Sequence, residues 1–332
     1  MSSKLPESIR VIETSSPGGP EVLKSGERPM PSPQAGEVLV KVAAVGVNGP
    51  DLMQRKGLYP PPAGASDLLG LEIAGEVVAA GDNAARWKPG DRIAALTNGG
   101  GYAEYCTVDA RHCLPIPKAV ALRDAAGLPE TFFTVWSNVF IGAGLAAGET
   151  FLVHGGAGGI GTTAIQLGKA FGAKVIAIDS PAERCRICTE LGADRVVDYR
   201  TEDFVEAVRG EGGANVILDI VGGPNIEKNF KAAQHDARII QLAFAMGSKL
   251  EINLMPVMLK RLTYTGSTLR TRPSAYKARV AQELEQKVWP LIGSGKIRVV
   301  TGRTFPLADA AKAHALMESA GHTGKILLTV GE

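Results

Sequence analysis

Hydrophobic and polar positions along the chain fall into two textures that change near Pro129. Before it, short Val-rich runs such as EVLVKVAAVGV, EIAGEVVAA and DRIAAL are separated by Pro and Gly turns. Fourteen of the twenty prolines lie in the first 130 residues. Proline cannot donate to a strand ladder, so this pattern predicts an irregular antiparallel β domain with edge strands. After Pro129, strand-like runs (FLVHG, KVIAID, DRVVDY, NVILDIV, RIIQL, TYTGS) alternate with longer mixed or helical stretches, the signature of a parallel sheet wound on both faces. The last forty residues hold a strand, a helix and a final apolar strand. Six strands already complete the second sheet, so this tail is expected to return to the first lobe. The expected α/β architecture is therefore a β-rich lobe from residues 1–128 and 294–332, and a doubly wound lobe from 129–293.

The length of 332 residues suits about two domains. Lys plus Arg number 36 against 34 Asp plus Glu, a net charge of +2, which excludes a strong field for nucleic acid or a membrane surface. The opening MSSKLPESIR has no apolar signal core, and the uncharged runs 131–148 and 150–168 are laced with Gly, Thr, Ser, Asn or Gln. No membrane span and a cytoplasmic location are expected. Four cysteines, at 106, 113, 185 and 188, are too few for a disulfide scaffold. Cys185 and Cys188 form a C-x-x-C without a second pair, which favours packing over metal or redox chemistry.

The strongest local signal is Phe151-Leu152-Val153-His154-Gly155 leading into Gly156-Ala157-Gly158-Gly159-Ile160-Gly161. This satisfies G-x-G-x-x-G directly after an apolar strand, and Ala164, Leu167, Gly168 and Phe171 continue it with one helical face. Glycines let the backbone approach a pyrophosphate, whose charge the helix N-terminus stabilises. A second strand, KVIAI, ends at Asp179, in register for the ribose. Dinucleotide binding is the expected chemistry.

Several segments together, PGGPEVL, VNGPDLMQRKGLYPPPAGASDLLGLEIAG, WKPGDRIAAL, GGGYAEY, ELGADRVVDY and TGKILL, make the chain resemble the zinc-free quinone oxidoreductase branch of the medium-chain dehydrogenase/reductase superfamily. The resemblance implies a GroES-like catalytic domain built from both chain ends, a central Rossmann domain, NAD(P)H in a cleft between them, and a homodimer. Zinc-dependent relatives carry Cys in G-x-C-x-x-D and His in G-H-E, whereas this chain has Gly46-Val47-Asn48-Gly49-Pro50-Asp51 and Gly70-Leu71-Glu72. Neither Asn48 nor Leu71 supplies the N/S donors zinc prefers, so no metal is expected. Without zinc to polarise a carbonyl, the acceptor must spread negative charge itself, as quinones and α,β-unsaturated carbonyls do. Hydride transfer to such an acceptor is the expected activity; trans-2-enoyl thioester reduction and cofactor binding with little catalysis are the alternatives.

The resemblance also suggests individual roles. Tyr59, in Gly57-Leu58-Tyr59-Pro60-Pro61-Pro62, either donates a proton to the reduced oxygen or packs on its prolines. Asn48 either donates its amide to substrate or closes its loop. Thr134, Phe244 and Leu269 match positions near the nicotinamide; the alternative is a bond to its own helix backbone for Thr134 and core packing for Phe244 and Leu269. Lys325 either reaches cofactor phosphates from the C-terminal segment or is simply a solvated surface cation. For the adenosine ribose the residues pull apart. Asp179, eighteen residues after Gly161, suits the hydroxyls of NADH and repels a 2′-phosphate. Arg184 and Tyr199 stand where NADPH-dependent relatives hold that phosphate, with Ser180 as a further donor, and Asp179 could instead turn towards Ser180 or Arg184; the acid tips the expectation towards NADH.

Overall fold

The computed structural model describes residues 5–331. Two compact units divide between 133 and 134 and between 269 and 270. In the unit made from both chain ends, the mixed sheet runs Thr301–Pro306, Lys325–Thr329, Glu37–Val47, Glu72–Ala80, Arg92–Leu96, Cys113–Pro115, and Tyr105–Asp109 also pairs with Glu37–Val47. A separate hairpin joins Ser8–Thr14 to Leu23–Pro29. The core gathers Val38, Val40, Ile73, Val77 and Ile93 with Ile326 and Leu328 of the last strand. The tail therefore returns to the first lobe, because its ILL run buries fully only beside Glu37–Val47.

The central unit holds six parallel strands in the spatial order Arg195–Asp198, Lys174–Asp179, Thr150–His154, Ala214–Asp219, Ala233–Gln241, Thr263–Gly266. Counted along the chain from Thr150 this is 3-2-1-4-5-6, the doubly wound order whose switch point lies beside the first strand. Phe151, Leu152 and Val153 are buried on both faces, as expected of a parallel strand covered by helices on each side. The last strand, Thr263–Gly266, is exposed along its whole length and forms one edge of the sheet.

Residues 270–293 lie with the β-rich unit, although their helical texture groups them by pattern with the preceding 129–269. Tertiary contacts decide their place. Trp289 Nε1 donates to Pro115 O at 2.6 Å and the Trp289 ring meets Phe132 edge-on at 6.1 Å. Arg86 forks onto Glu285 at 2.6 and 2.7 Å, and His112 reaches Ser274 O at 3.0 Å. Among the described residues, no helix is long and apolar enough to cross a membrane.

Candidate active site

In the central unit the glycine turn is shaped by contacts that exclude side chains. Gly155 has φ +68°, a left-handed conformation that costs glycine little. A Cβ on Gly161 would lie 2.2 Å from Gly155 O and 2.6 Å from Gly156, so the last glycine brings the helix hard against the turn. Gly158 caps the helix Gly159–Ala170, and Gly158, Gly159 and Ile160 remain partly exposed at its mouth. First-turn amides of a helix have no acceptor within it and suit an anion.

At the end of the next strand Asp179 is buried and bonded on both oxygens. Oδ2 accepts from Ala157 N at 2.7 Å and Arg184 Nη2 at 3.2 Å; Oδ1 accepts from Ser180 N at 2.7 Å and Arg184 Nε at 2.6 Å. Its charge is thus matched inside the fold, and at 4 % exposure the carboxylate offers a ribose little surface. The neighbouring Ser180 Oγ is buried without a hydrogen-bond partner. Tyr199 is exposed, and its N–H donates to Asp179 O at 3.3 Å. A cradle closed by missing Cβ atoms, a cation and an orphaned hydroxyl together fit a dinucleotide phosphate.

Elsewhere in this unit Thr134 and Leu269 are buried, while Phe244 is half-exposed and lies against Gly222. That loop is held by a chain of polar groups that the sequence reading missed: His154 Nε2 meets Asn229 Oδ1 at 2.8 Å, Asn229 Nδ2 donates to Asp219 Oδ2 at 2.8 Å, and Asp219 Oδ1 accepts from Val221 and Gly222 N–H. Burial lowers the His154 pKa below its usual value, with the Asp219 charge opposing.

In the β-rich unit the vacated ligand positions hold an ion pair. Lys325 Nζ lies 2.6 Å from Glu72 Oε1, 2.5 Å from Asn48 Oδ1 and 3.2 Å from Val47 O. Its three protons are committed there, and it is 4 % exposed, which leaves none for a cofactor phosphate. Asn48 Nδ2 donates to Glu72 Oε1 at 2.9 Å and Gly46 O at 3.3 Å, so the amide closes its loop and has no proton left for an acceptor. An amide, a leucine and a lysine ammonium do not fit a tetrahedral zinc, which needs thiolate, imidazole or carboxylate donors and no competing cation.

Two further acids complete this cluster. Asp51 accepts from Asn48 N at 2.8 Å and Gly70 N at 3.0 Å, capping the helix Gly49–Arg55; burial pushes its pKa up to about 6. Glu130, whose N–H donates to Glu72 Oε2 at 2.8 Å, is raised to about 8, first by burial and then by the Glu72 charge, with Lys325 opposing. Near them Tyr59 is partly exposed, and the Arg270 guanidinium stands 5.8 Å from its ring centroid. Arg270 and Lys277 carried no signal in the sequence beyond their charge.

Comparison with known proteins places these features. The alcohol dehydrogenase GroES-like domain matches residues 34–118, and a zinc-binding dehydrogenase domain matches 191–328. Human quinone oxidoreductase is 31% identical over 98% of each chain. Among solved structures, Escherichia coli quinone oxidoreductase complexed with NADPH is 30% identical with a TM-score of 0.85, covering 97% of this chain and 99% of that one. An NAD-dependent alcohol dehydrogenase is also 30% identical, with a TM-score of 0.86 over 97% and 100% of the two chains.

Replacing Lys325 with Met strands the Glu72 carboxylate in the interior, a loss of about 3–5 kcal/mol. Urea denaturation should show that loss, and Glu72→Gln in the same chain should recover much of it. An unchanged midpoint in Lys325→Met would remove the pair from any structural role.

Proposed function

The chain belongs to the quinone oxidoreductase branch of the medium-chain dehydrogenase/reductase superfamily, whose members are NAD(P)H-dependent oxidoreductases, and on that premise we propose that it reduces quinones and other α,β-unsaturated carbonyls with NADPH and without zinc. The observation that carries this reading is the Lys325–Glu72–Asn48 cluster: with an ammonium filling the vacated ligand positions, the acceptor must stabilise its own developing charge, and conjugated carbonyls do so. A bound reduced nicotinamide supplies the hydride. The glycine turn and the amides that open the helix Gly159–Ala170 hold the pyrophosphate. Thr134, Phe244 and Leu269 bound the nicotinamide.

Tyr59 is the proton donor we assign to the reduced oxygen. Its phenol is protonated at neutral pH by its ordinary chemistry, and Asn48 is spent elsewhere. The β-rich unit thus serves the acceptor and the central unit the cofactor. A cytoplasmic location agrees with four free cysteines, three of them buried.

NADPH is favoured over NADH because Arg184 and two backbone amides already neutralise Asp179, so the acid offers a ribose neither an acceptor nor strong repulsion. Ser180 Oγ and Tyr199 are then available to a 2′-phosphate. A homodimer is supported by the exposed edge strand Thr263–Gly266 and by exposed Met246, Leu254, Met255, Met258 and Leu259 of the same unit; a strand with one edge unpaired and exposed apolar side chains are each templates for a second copy.

Three measurements test these statements. Turnover of a quinone panel should persist after dialysis against a chelator, with kcat/KM for NADPH at least about tenfold above NADH. Arg184→Ala should erode that ratio, since Asp179 would then repel the phosphate; a wild-type preference for NADH would defeat the cofactor assignment. Tyr59→Phe should lower kcat/KM for quinones about tenfold, the scale of one hydrogen bond, with cofactor affinity kept; full activity would return the ring to packing. Sedimentation should give a dimer that Thr265→Pro or Met258→Asp converts to monomer, and a wild-type monomer would rule the dimer out.

A further inference from the structure

The β-rich unit buries four cations, and they divide into two kinds. Arg55 meets Glu318 at 2.5 Å and Lys325 meets Glu72 at 2.6 Å, the pairing that buried charge ordinarily requires. Arg270 and Lys277, 6 % and 1 % exposed, have no carboxylate within 4 Å among the described residues. Their partners are all neutral. Arg270 donates from Nε and Nη2 to Asn98 O at 3.0 and 2.6 Å, and from Nη1 to Gln54 Oε1 at 2.6 Å. Lys277 Nζ donates to Asn98 Oδ1 at 2.6 Å and Arg270 O at 2.9 Å.

These bonds fix the two cations without neutralising them. Three of five guanidinium N–H groups and two of three ammonium protons are used, so both ends keep donors for a further acceptor. Burial depresses both pKa values from their usual range, the mark of charge short of solvation. The carboxyls whose charge acts on them from a distance are Asp51 and Glu130 on Arg270 and Glu130 and Asp109 on Lys277; none pairs with either cation, and Glu130 is itself raised to about 8. Arg270 is also the cation over the Tyr59 ring, which puts this unmatched positive charge beside the residue assigned to the acceptor.

We propose that Arg270 and Lys277 form an anion-receiving site beside Tyr59, and that the preferred acceptors are quinones or enones carrying a carboxylate. A carboxylate would supply the directly paired counter-charge that the fold places only at a distance, and the planar guanidinium suits it better than a point charge would. A network serving only to dock residues 270–277 could use neutral side chains or a fold-borne acid. The inference rests on the quinone-reducing reading, and the test separates the two.

The experiment compares a neutral 1,4-naphthoquinone with the same ring bearing a short carboxylate side chain, at low and high salt, and measures benzoate binding to the cofactor-loaded protein by calorimetry. We expect kcat/KM about tenfold higher for the acid at low salt, a preference that salt reduces, and benzoate acting as a competitor of quinone. Lys277→Gln and Arg270→Gln should each bring the ratio to within about twofold of unity and weaken benzoate binding. Wild type already decides the matter if a variant fails to fold: equal kcat/KM for the two quinones, or no benzoate binding, overturns the proposal, as does a preference that survives both substitutions. Failure to turn over either quinone would sink the quinone-reducing reading instead. Benzoate binding lost in Lys277→Gln would then still uphold the anion site.

Discussion

One buried ion pair organises the vacated ligand positions of the β-rich unit. Glu72 is fully buried, and a carboxylate taken out of water must be matched or it unfolds what surrounds it. Lys325 supplies the match from the C-terminal strand. The same carboxylate receives Asn48 Nδ2 from the end of Glu37–Val47 and the N–H of Glu130 from the helix Pro129–Val135. Three separate segments therefore converge on one acceptor. Gly46 is required beside it, since a Cβ there would lie 2.0 Å from Glu72 Oε1 and 2.8 Å from Ala126 O. The raised pKa values of Asp51 and Glu130 follow first from burial and then from the Glu72 charge beside them, with Lys325 opposing both.

What could be read from the sequence was whatever depends on neighbours along the chain. The glycine turn, its flanking strand and helix, and the alternation that yields 3-2-1-4-5-6 are local patterns, and they appear where the pattern puts them. The Asp179–Arg184 contact spans five residues and was visible as one of two options. Position alone could not choose between facing the ribose and turning inward. The amides of Ala157 and Ser180 decide it, and they reach Asp179 only once the turn has folded.

The hidden part is long-range. Lys325 and Asn48 are 277 positions apart, and Arg270 and Asn98 are 172 apart; no periodicity encodes such pairs. A lysine in a T-G-K segment reads as a surface cation reaching for phosphate, and only the antiparallel pairing of Ile326 with Val47 turns it into the interior. The allegiance of residues 270–293 is of the same kind, set by Trp289 meeting Pro115 across 174 positions. Helical pattern states that these residues form helices and is silent on what the helices cover.

The placement of Lys325–Thr329 inside the sheet has a consequence for the order in which the protein is made. This strand lies between Thr301–Pro306 and Glu37–Val47, so Glu37–Val47 must wait for Lys325–Thr329 to be made before that side of their sheet can close. The central unit, continuous from 134 to 269, has all its strands available well before that. Domains fold largely as units during synthesis, so on a translating ribosome the nucleotide-binding half is complete while the amino-terminal half still exposes the edge that Ile326 and Leu328 will cover. Nascent chains stalled short of residue 325 thus carry an open apolar sheet edge.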